Sequence, residues 1–153
     1  MPELPEVETV CRGLYPVLVG HKIESVKVLR HDLRLPVPRK IKHSIKNRTI
    51  TLLERRAKYI LLYLDNDYTI IIHLGMSGHI KIFKNFSSKL APHDHIEFTM
   101  SNGAVVRYND PRRFGLVLLE KKDNLNSHRL LKDLGPDPLG KKFNHHVLSK
   151  LLM

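Results

Sequence analysis

Cysteine occurs once, at Cys11, and that scarcity removes two kinds of architecture. No intramolecular disulfide can form, as expected of a chain in a reducing compartment, and no four-cysteine zinc site can be built from it. No run of about 18 uncharged apolar residues occurs, and the acidic N-terminus lacks the basic-then-apolar order of a signal peptide. The chain therefore reads as cytoplasmic and soluble, with no membrane partner. Acid is the other shortage: 15 Asp and Glu stand against 26 Lys and Arg, for a formal net charge of +11. Each phosphate neutralised by such a surface releases condensed counterions, so a polyanion, nucleic acid first, is the expected partner. A basic surface with no specific partner is the alternative at this level.

With 153 residues the chain suits one domain with its own core. Val7, Val10, Cys11 and Leu14 step by three and four, which lays them on one helical face. Pro2 and Pro5 fit only at or before the first turn of that helix, and Glu3, Glu6 and Glu8 suit its positive end. The helix is expected to start near Pro5 and to be ended by Pro16 and Gly20. From Lys22 the texture changes to short runs rich in Val, Ile, Leu, Tyr and Thr. These lie at Lys22–Arg30, Thr49–Glu54, Lys58–Leu64, Tyr68–His73, His79–Lys84, His95–Met100, Ala104–Tyr108 and Gly115–Glu120. Asp65-Asn66-Asp67 and Ser101-Asn102-Gly103 separate some of them, and the Asn-Gly step signals a hairpin because both residues accept positive φ. The expected fold is mainly β, of the α+β kind: a β-sandwich of about eight strands with a helix at its edge. Pro136, Pro138 and Gly140 read as a linker, after which Asn144 caps a helix carrying Val147, Leu148 and Leu151. Residues 1–134 are thus expected to form the sandwich domain, and 135–153 a linker and either a terminal helix or the start of a further helical domain.

Four stretches hold residues suited to chemistry. In Met1-Pro2-Glu3, removal of Met1 leaves Pro2 as a free secondary amine. An α-amine titrates at about 7.7 to 8.0 against about 10.4 for lysine, so it can be a nucleophile near neutral pH. Glu3 beside it can move protons as general acid and base; alternatively, Pro2 merely starts the helix. In Arg55-Arg56-Ala57-Lys58-Tyr59, strand alternation puts Arg56 and Lys58 on one face and Arg55 on the other, suited to phosphate or to a solvated edge. In His73-Leu74-Gly75-Met76-Ser77-Gly78, the glycines leave Met76 at the tip of a bend, where it can wedge into a base stack or fold back into the core. In Tyr108-Asn109-Asp110-Pro111-Arg112-Arg113-Phe114-Gly115, two arginine forks and an aromatic face share a loop; Phe114 either stacks on a base or tucks into the core.

The segments MPELPEVETV, RRAKYILLYL, IIHLGMSGHI, HDHIEFTMSNG, DPRRFG and LGPDPL, in this order across nearly the whole chain, closely resemble the N-terminal domain of formamidopyrimidine-DNA glycosylase. This bacterial base-excision family is related to endonuclease VIII; LGMSG and DPRRFG favour the former branch. The resemblance implies a bifunctional glycosylase and AP lyase that removes oxidised purines, 8-oxoguanine and formamidopyrimidines, from double-stranded DNA. Carried onto this sequence, it makes Pro2 the nucleophile that forms a Schiff base at C1′ and Glu3 the proton shuttle through β,δ-elimination. Lys58 becomes the hairpin lysine on a phosphate beside the lesion. His73, His93 and Arg113 match positions that contact the DNA backbone. Met76, Arg112 and Phe114 match the trio that fills the gap left by the flipped nucleotide, Arg112 meeting the orphaned cytosine.

Family members continue for more than a hundred residues with a helical DNA-binding element and a four-cysteine zinc finger. The expectation is therefore a chain that keeps the nucleophile, holds no cofactor or metal of its own, acts as a monomer and lacks much of the family's grip on DNA. A catalytically silent DNA-binding remnant is the competing expectation, and a basic sandwich unrelated to DNA a third.

Overall fold

The computed structural model describes residues 4–84, 89–131 and 141–143. Helix α1 (Leu4–Leu18) opens the fold, with Val7, Cys11, Leu14 and Leu18 buried at helical spacing and Val10 packed against the same core. Pro16 lies inside the helix and does not end it, contrary to expectation. Its missing N–H falls in the last turn, which the bond from Val19 N to Tyr15 O still closes at 3.0 Å.

The eight expected strands are present as β1 (Ile23–Val28), β2 (Ile50–Arg56), β3 (Tyr59–Leu64), β4 (Tyr68–His73), β5 (His79–Phe83), β6 (Asp94–Met100), β7 (Val105–Asn109) and β8 (Leu116–Lys121). A further strand, β9 (Lys141–Phe143), pairs with β2, and a short helix α2 (Ile41–Ile45) follows β1, burying Ile41 and Ile45. Antiparallel pairing gives a four-stranded sheet in the order β1-β6-β7-β5 and a five-stranded sheet in the order β8-β4-β3-β2-β9. In the Asn102-Gly103 turn only Gly103 has positive φ, so the hairpin is not the doubly left-handed turn expected; Asn102 instead donates to Val17 O and accepts from Ala104 N.

The two sheets face each other across one core. Ile60, Leu62, Ile70, Ile72 and Val117 meet Val26, Ile96, Phe98, Val106 and Tyr108, and each apolar side chain so buried contributes about 1.5–3 kcal/mol. Alternate residues of the five-stranded sheet, Leu61, Ile71 and Leu116, are also fully buried, because Leu125 and Leu131 cover its outer face. Burial on both faces explains why ILLYL and TIII read as unbroken apolar runs. The expected boundary at 134/135 and the linker and helix after it lie outside the described residues, apart from β9.

Candidate nucleic-acid interface

Strand register brings the motif residues to one end of the sandwich. Tyr59 pairs with His73 and His73 with Leu116, so the start of β3, the end of β4 and the start of β8 stand side by side. In the other sheet, Asn109 at the end of β7 pairs with both His79 and Asp94, at the starts of β5 and β6. The His73–Gly78 and Asp110–Gly115 loops therefore rise from the same rim, beside the turn carrying His93 and the β2–β3 hairpin carrying Lys58.

The two loops interlock through backbone. A Cβ on Gly75, which has φ +64°, would lie 2.6 Å from Gly115 N and 2.7 Å from the Phe114 carbonyl carbon, so glycine is required there. Beneath them lies the Asp110 carboxylate, with no exposed surface. Its Oδ1 accepts from Ser77 Oγ at 2.6 Å and Arg113 N at 3.1 Å; its Oδ2 accepts from Tyr108 OH at 2.7 Å and Gly115 N at 2.9 Å. Ser77 Oγ also accepts from Arg112 N at 3.1 Å. Asp110 N donates to His93 O, and its carbonyl accepts from His95 Nε2, which fixes the protonated nitrogen of that buried ring. Burial opposes ionisation of Asp110, but the bonds from Ser77, Tyr108, Gly115 and Arg113 outweigh it and hold the carboxyl below the usual range.

Above this anchor, Met76 is 54% and Phe114 43% exposed, so neither folds into the core. The Arg112 guanidinium stands 4.6 Å from the centre of the Phe114 ring, a stacked cation–aromatic pair open to solvent. His93 and Arg113 have φ of 71° and 58°. Such conformations cost non-glycine residues on the order of 1 kcal/mol each and recur where geometry serves binding. Arg113 Nη1 is 2.6 Å from Asp32, which Arg30 also contacts, and Arg34 N donates to Gly115 O.

His73 lies on the outer row of the five-stranded sheet, edge-on to Tyr59, with 4.8 Å between ring centres. Its Nδ1 accepts from Gly75 N at 3.0 Å, so the neutral ring carries its proton on Nε2. Burial first, then the charges of Arg34 and Lys58, lower its pKa. Lys58 itself does not extend a strand alternation with Arg56: β2 ends at Arg56, and Ala57, with φ 52°, and Lys58 form a two-residue hairpin loop. Arg56 turns to the outer face, bonded to Asn126 and 3.4 Å from Glu54, while Arg55 is buried on the inner face.

Arg55 ties α1 to this end of the sheet. Its Nη2 is 3.5 Å from Glu8 Oε1, and its Nη1 donates to Ala57 O at 2.8 Å, inside the Lys58 hairpin. The N-terminal half of α1 thus runs beside the Lys58 loop. Pro2 and Glu3 lie outside the described residues. Arg30, Asp32 and Arg34 carry no motif in the sequence, only a dense run of charges at and after the end of the expected first strand, and no local pattern marks Ser77 or Asp110 as partners. Among the described residues, no group of three or more His, Cys, Asp or Glu side chains could hold a metal ion, and no helix is long and apolar enough to cross a membrane.

Known proteins share this sequence pattern and this fold. The sequence pattern of the formamidopyrimidine-DNA glycosylase N-terminal domain matches residues 1–117. The chain is 47% identical over 161 aligned residues to the formamidopyrimidine-DNA glycosylase of Azorhizobium caulinodans, covering 98% of this chain and 55% of that protein. It is 45% identical to that of Xanthomonas oryzae pv. oryzae, covering 99% and 55%. A solved complex of Lactococcus lactis Fpg with DNA containing an abasic site superposes with a TM-score of 0.80 at 30% identity, over 99% of this chain and 56% of that one. A complex of the same protein with FAPY-dG-containing DNA superposes with a TM-score of 0.79, also at 30% identity, over 98% and 56%. The chain therefore spans about half the length of the relatives it matches.

Proposed function

The chain belongs to the formamidopyrimidine-DNA glycosylase family, and from that premise we propose that it carries the lesion-opening and bond-breaking half of a DNA base-excision glycosylase and AP lyase acting on oxidised purines. One observation carries the reading. Exposed Met76, Arg112 and Phe114 stand on two interlocked loops, beside Arg113, His73 and the Lys58 hairpin, at one rim of a strongly basic chain.

The chemistry follows from that rim. Extruding a nucleotide forfeits a few kcal/mol of stacking, least for a damaged pair, and inserted apolar and cationic side chains recover part of it. Met76 and Phe114 supply the apolar wedge, and Arg112 the donor fork for the unpaired cytosine. Arg113, His93 and neutral His73, through Nε2–H, take backbone phosphates, while Lys58 takes the phosphate beside the lesion. Pro2, freed of Met1, attacks C1′ as the glycosidic bond to the damaged base breaks, and opening of the sugar ring gives the Schiff base. Glu3 moves the protons of ring opening and elimination, and the 3′ and 5′ phosphates leave in turn. These residues need no metal or cofactor of their own. The chain acts as a monomer on DNA in the bacterial cytoplasm.

The test is borohydride trapping on duplex DNA containing one abasic site, beside a Pro2→Gly variant. The expected result is a covalent adduct that maps to residue 2 and is lost in the variant. A folded, Met1-processed protein that binds the duplex but forms no adduct would instead be a DNA-binding module without catalysis.

A further inference from the structure

Four donors converge on Asp110, and their distribution is specific. Each carboxylate oxygen takes one hydroxyl and one backbone amide: Ser77 Oγ and Arg113 N on Oδ1, Tyr108 OH and Gly115 N on Oδ2. The hydroxyls can rotate and the amides cannot. An ionised carboxylate, which only accepts, satisfies both amides; an amide side chain has one acceptor oxygen and must turn its NH2 toward the other. The same oxygens join separate segments, since Ser77 belongs to the Met76 loop while Arg113 and Gly115 belong to the Arg112–Phe114 loop. Through Asp110 N and His93 O the link extends to the His93 turn.

We propose that Asp110 is the positioning residue that fuses the two loops, so that Met76, Arg112 and Phe114 enter a duplex as one preassembled wedge rather than as three separately ordered side chains. The proposal rests on the reading of those three residues as the void-filling trio. Its physical content is entropic: with both loops fixed before contact, DNA binding need not order them, and insertion into the gap is correspondingly tighter. Fully buried, Asp110 acts only through the residues it holds. Its role differs from that of Arg113, which meets solvent and charge directly.

The experiment uses this chain with a duplex carrying a stable tetrahydrofuran abasic site and 2-aminopurine on the opposing strand, whose fluorescence reports entry of the wedge. Binding to a single-stranded abasic oligonucleotide, followed by anisotropy, reports backbone electrostatics without a gap to fill. Asp110→Asn loses the hydrogen bond from one of the two backbone amides, Arg113 N or Gly115 N, whichever way its side chain turns. Ser77→Ala removes the hydroxyl bridge while leaving the carboxylate, and Phe114→Ala is the wedge control. We expect Asp110→Asn to weaken duplex binding and the fluorescence response on the order of tenfold, with Ser77→Ala in the same direction by less and single-strand binding within about twofold. An unchanged duplex response in Asp110→Asn and Ser77→Ala, with loss in Phe114→Ala, overturns the proposal and leaves the wedge intact. A response absent from the wild type, or equal in wild type and Phe114→Ala, overturns the wedge and this proposal with it. Should Asp110→Asn fail to fold, as its melting curve would reveal, Ser77→Ala decides between the same two results.

Discussion

Asp32 Oδ2 lies 2.6 Å from Arg113 Nη1, and its other oxygen lies 2.6 Å from Arg30 Nε, so one exposed carboxylate bridges two arginines on the rim of the proposed interface and offsets part of their charge. The hydrogen bond from Arg30 is the largest influence holding the Asp32 carboxyl below its ordinary range, with both arginine charges adding to it. The carboxylate is therefore ionised near neutral pH, where a DNA phosphate must compete with it. Both partners are exposed, and such pairs contribute little to stability and are screened by salt.

Asp32→Asn should accordingly tighten DNA binding by about three- to tenfold at low salt, with the gain fading as salt rises, because two more cations become available to phosphates. Anisotropy titrations at several salt concentrations would measure it. Weaker binding in the variant would mean that Asp32 chiefly aims Arg113 rather than masking it.

His73 gives a pH prediction. Burial, Arg34 and Lys58 lower its pKa below the ordinary 6.5, and protonation would also break the bond that Nδ1 accepts from Gly75 N. Over that range the unfolded chain binds more protons than the folded one. The contribution of His73 to stability is thus complete above pH 6.5 and is lost as pH falls through the folded value. The imidazole should titrate below pH 6.5 by NMR, and midpoints of urea unfolding should fall on acidification through that range, less steeply in His73→Gln. A His73 titration at or above the ordinary value would refute the bond assignment.

The strands were legible because their apolar runs were bounded by turn residues, and β3 and β4 read as strands even though both of their faces are buried. Helix α2 was not, because Ile41 and Ile45 are two isolated apolar residues among lysines and histidines, too short a period to detect. At the site, sequence pointed to Met76 and Phe114 but left their exposure open, since a loop methionine or phenylalanine packs inward as readily as outward. Local pattern also misjudged Lys58: alternation assumes a continuing strand, and Ala57 at positive φ turns the chain one residue earlier. Asp110 stands in the YNDPRRFG stretch, yet it bonds Ser77, 33 residues away, a pairing that only the sheet register creates.

Cys11 offers a chemical probe of how α1 is held. It is fully buried, and burial, opposed by the Arg55 charge and aided by Glu8, pushes its thiol up to about 12. At pH 8 the folded protein then holds only ~10⁻⁴ of this group as the reactive thiolate, against about a quarter for an ordinary thiol. Labelling by a disulfide reagent should therefore be at least about 100-fold slower in the native chain than in denaturant, and its residual rate should track opening of the helix. Glu8→Gln removes the carboxylate 3.5 Å from Arg55 Nη2, leaving that buried guanidinium less well compensated, and should loosen α1 from the sheet by about 1–2 kcal/mol. Native-state labelling of Cys11 should then accelerate by about five- to thirtyfold. A variant in which Cys11 labels no faster, despite normal folding, would mean that apolar packing by Val7, Leu14 and Leu18 holds the helix without help from the Glu8–Arg55 pair.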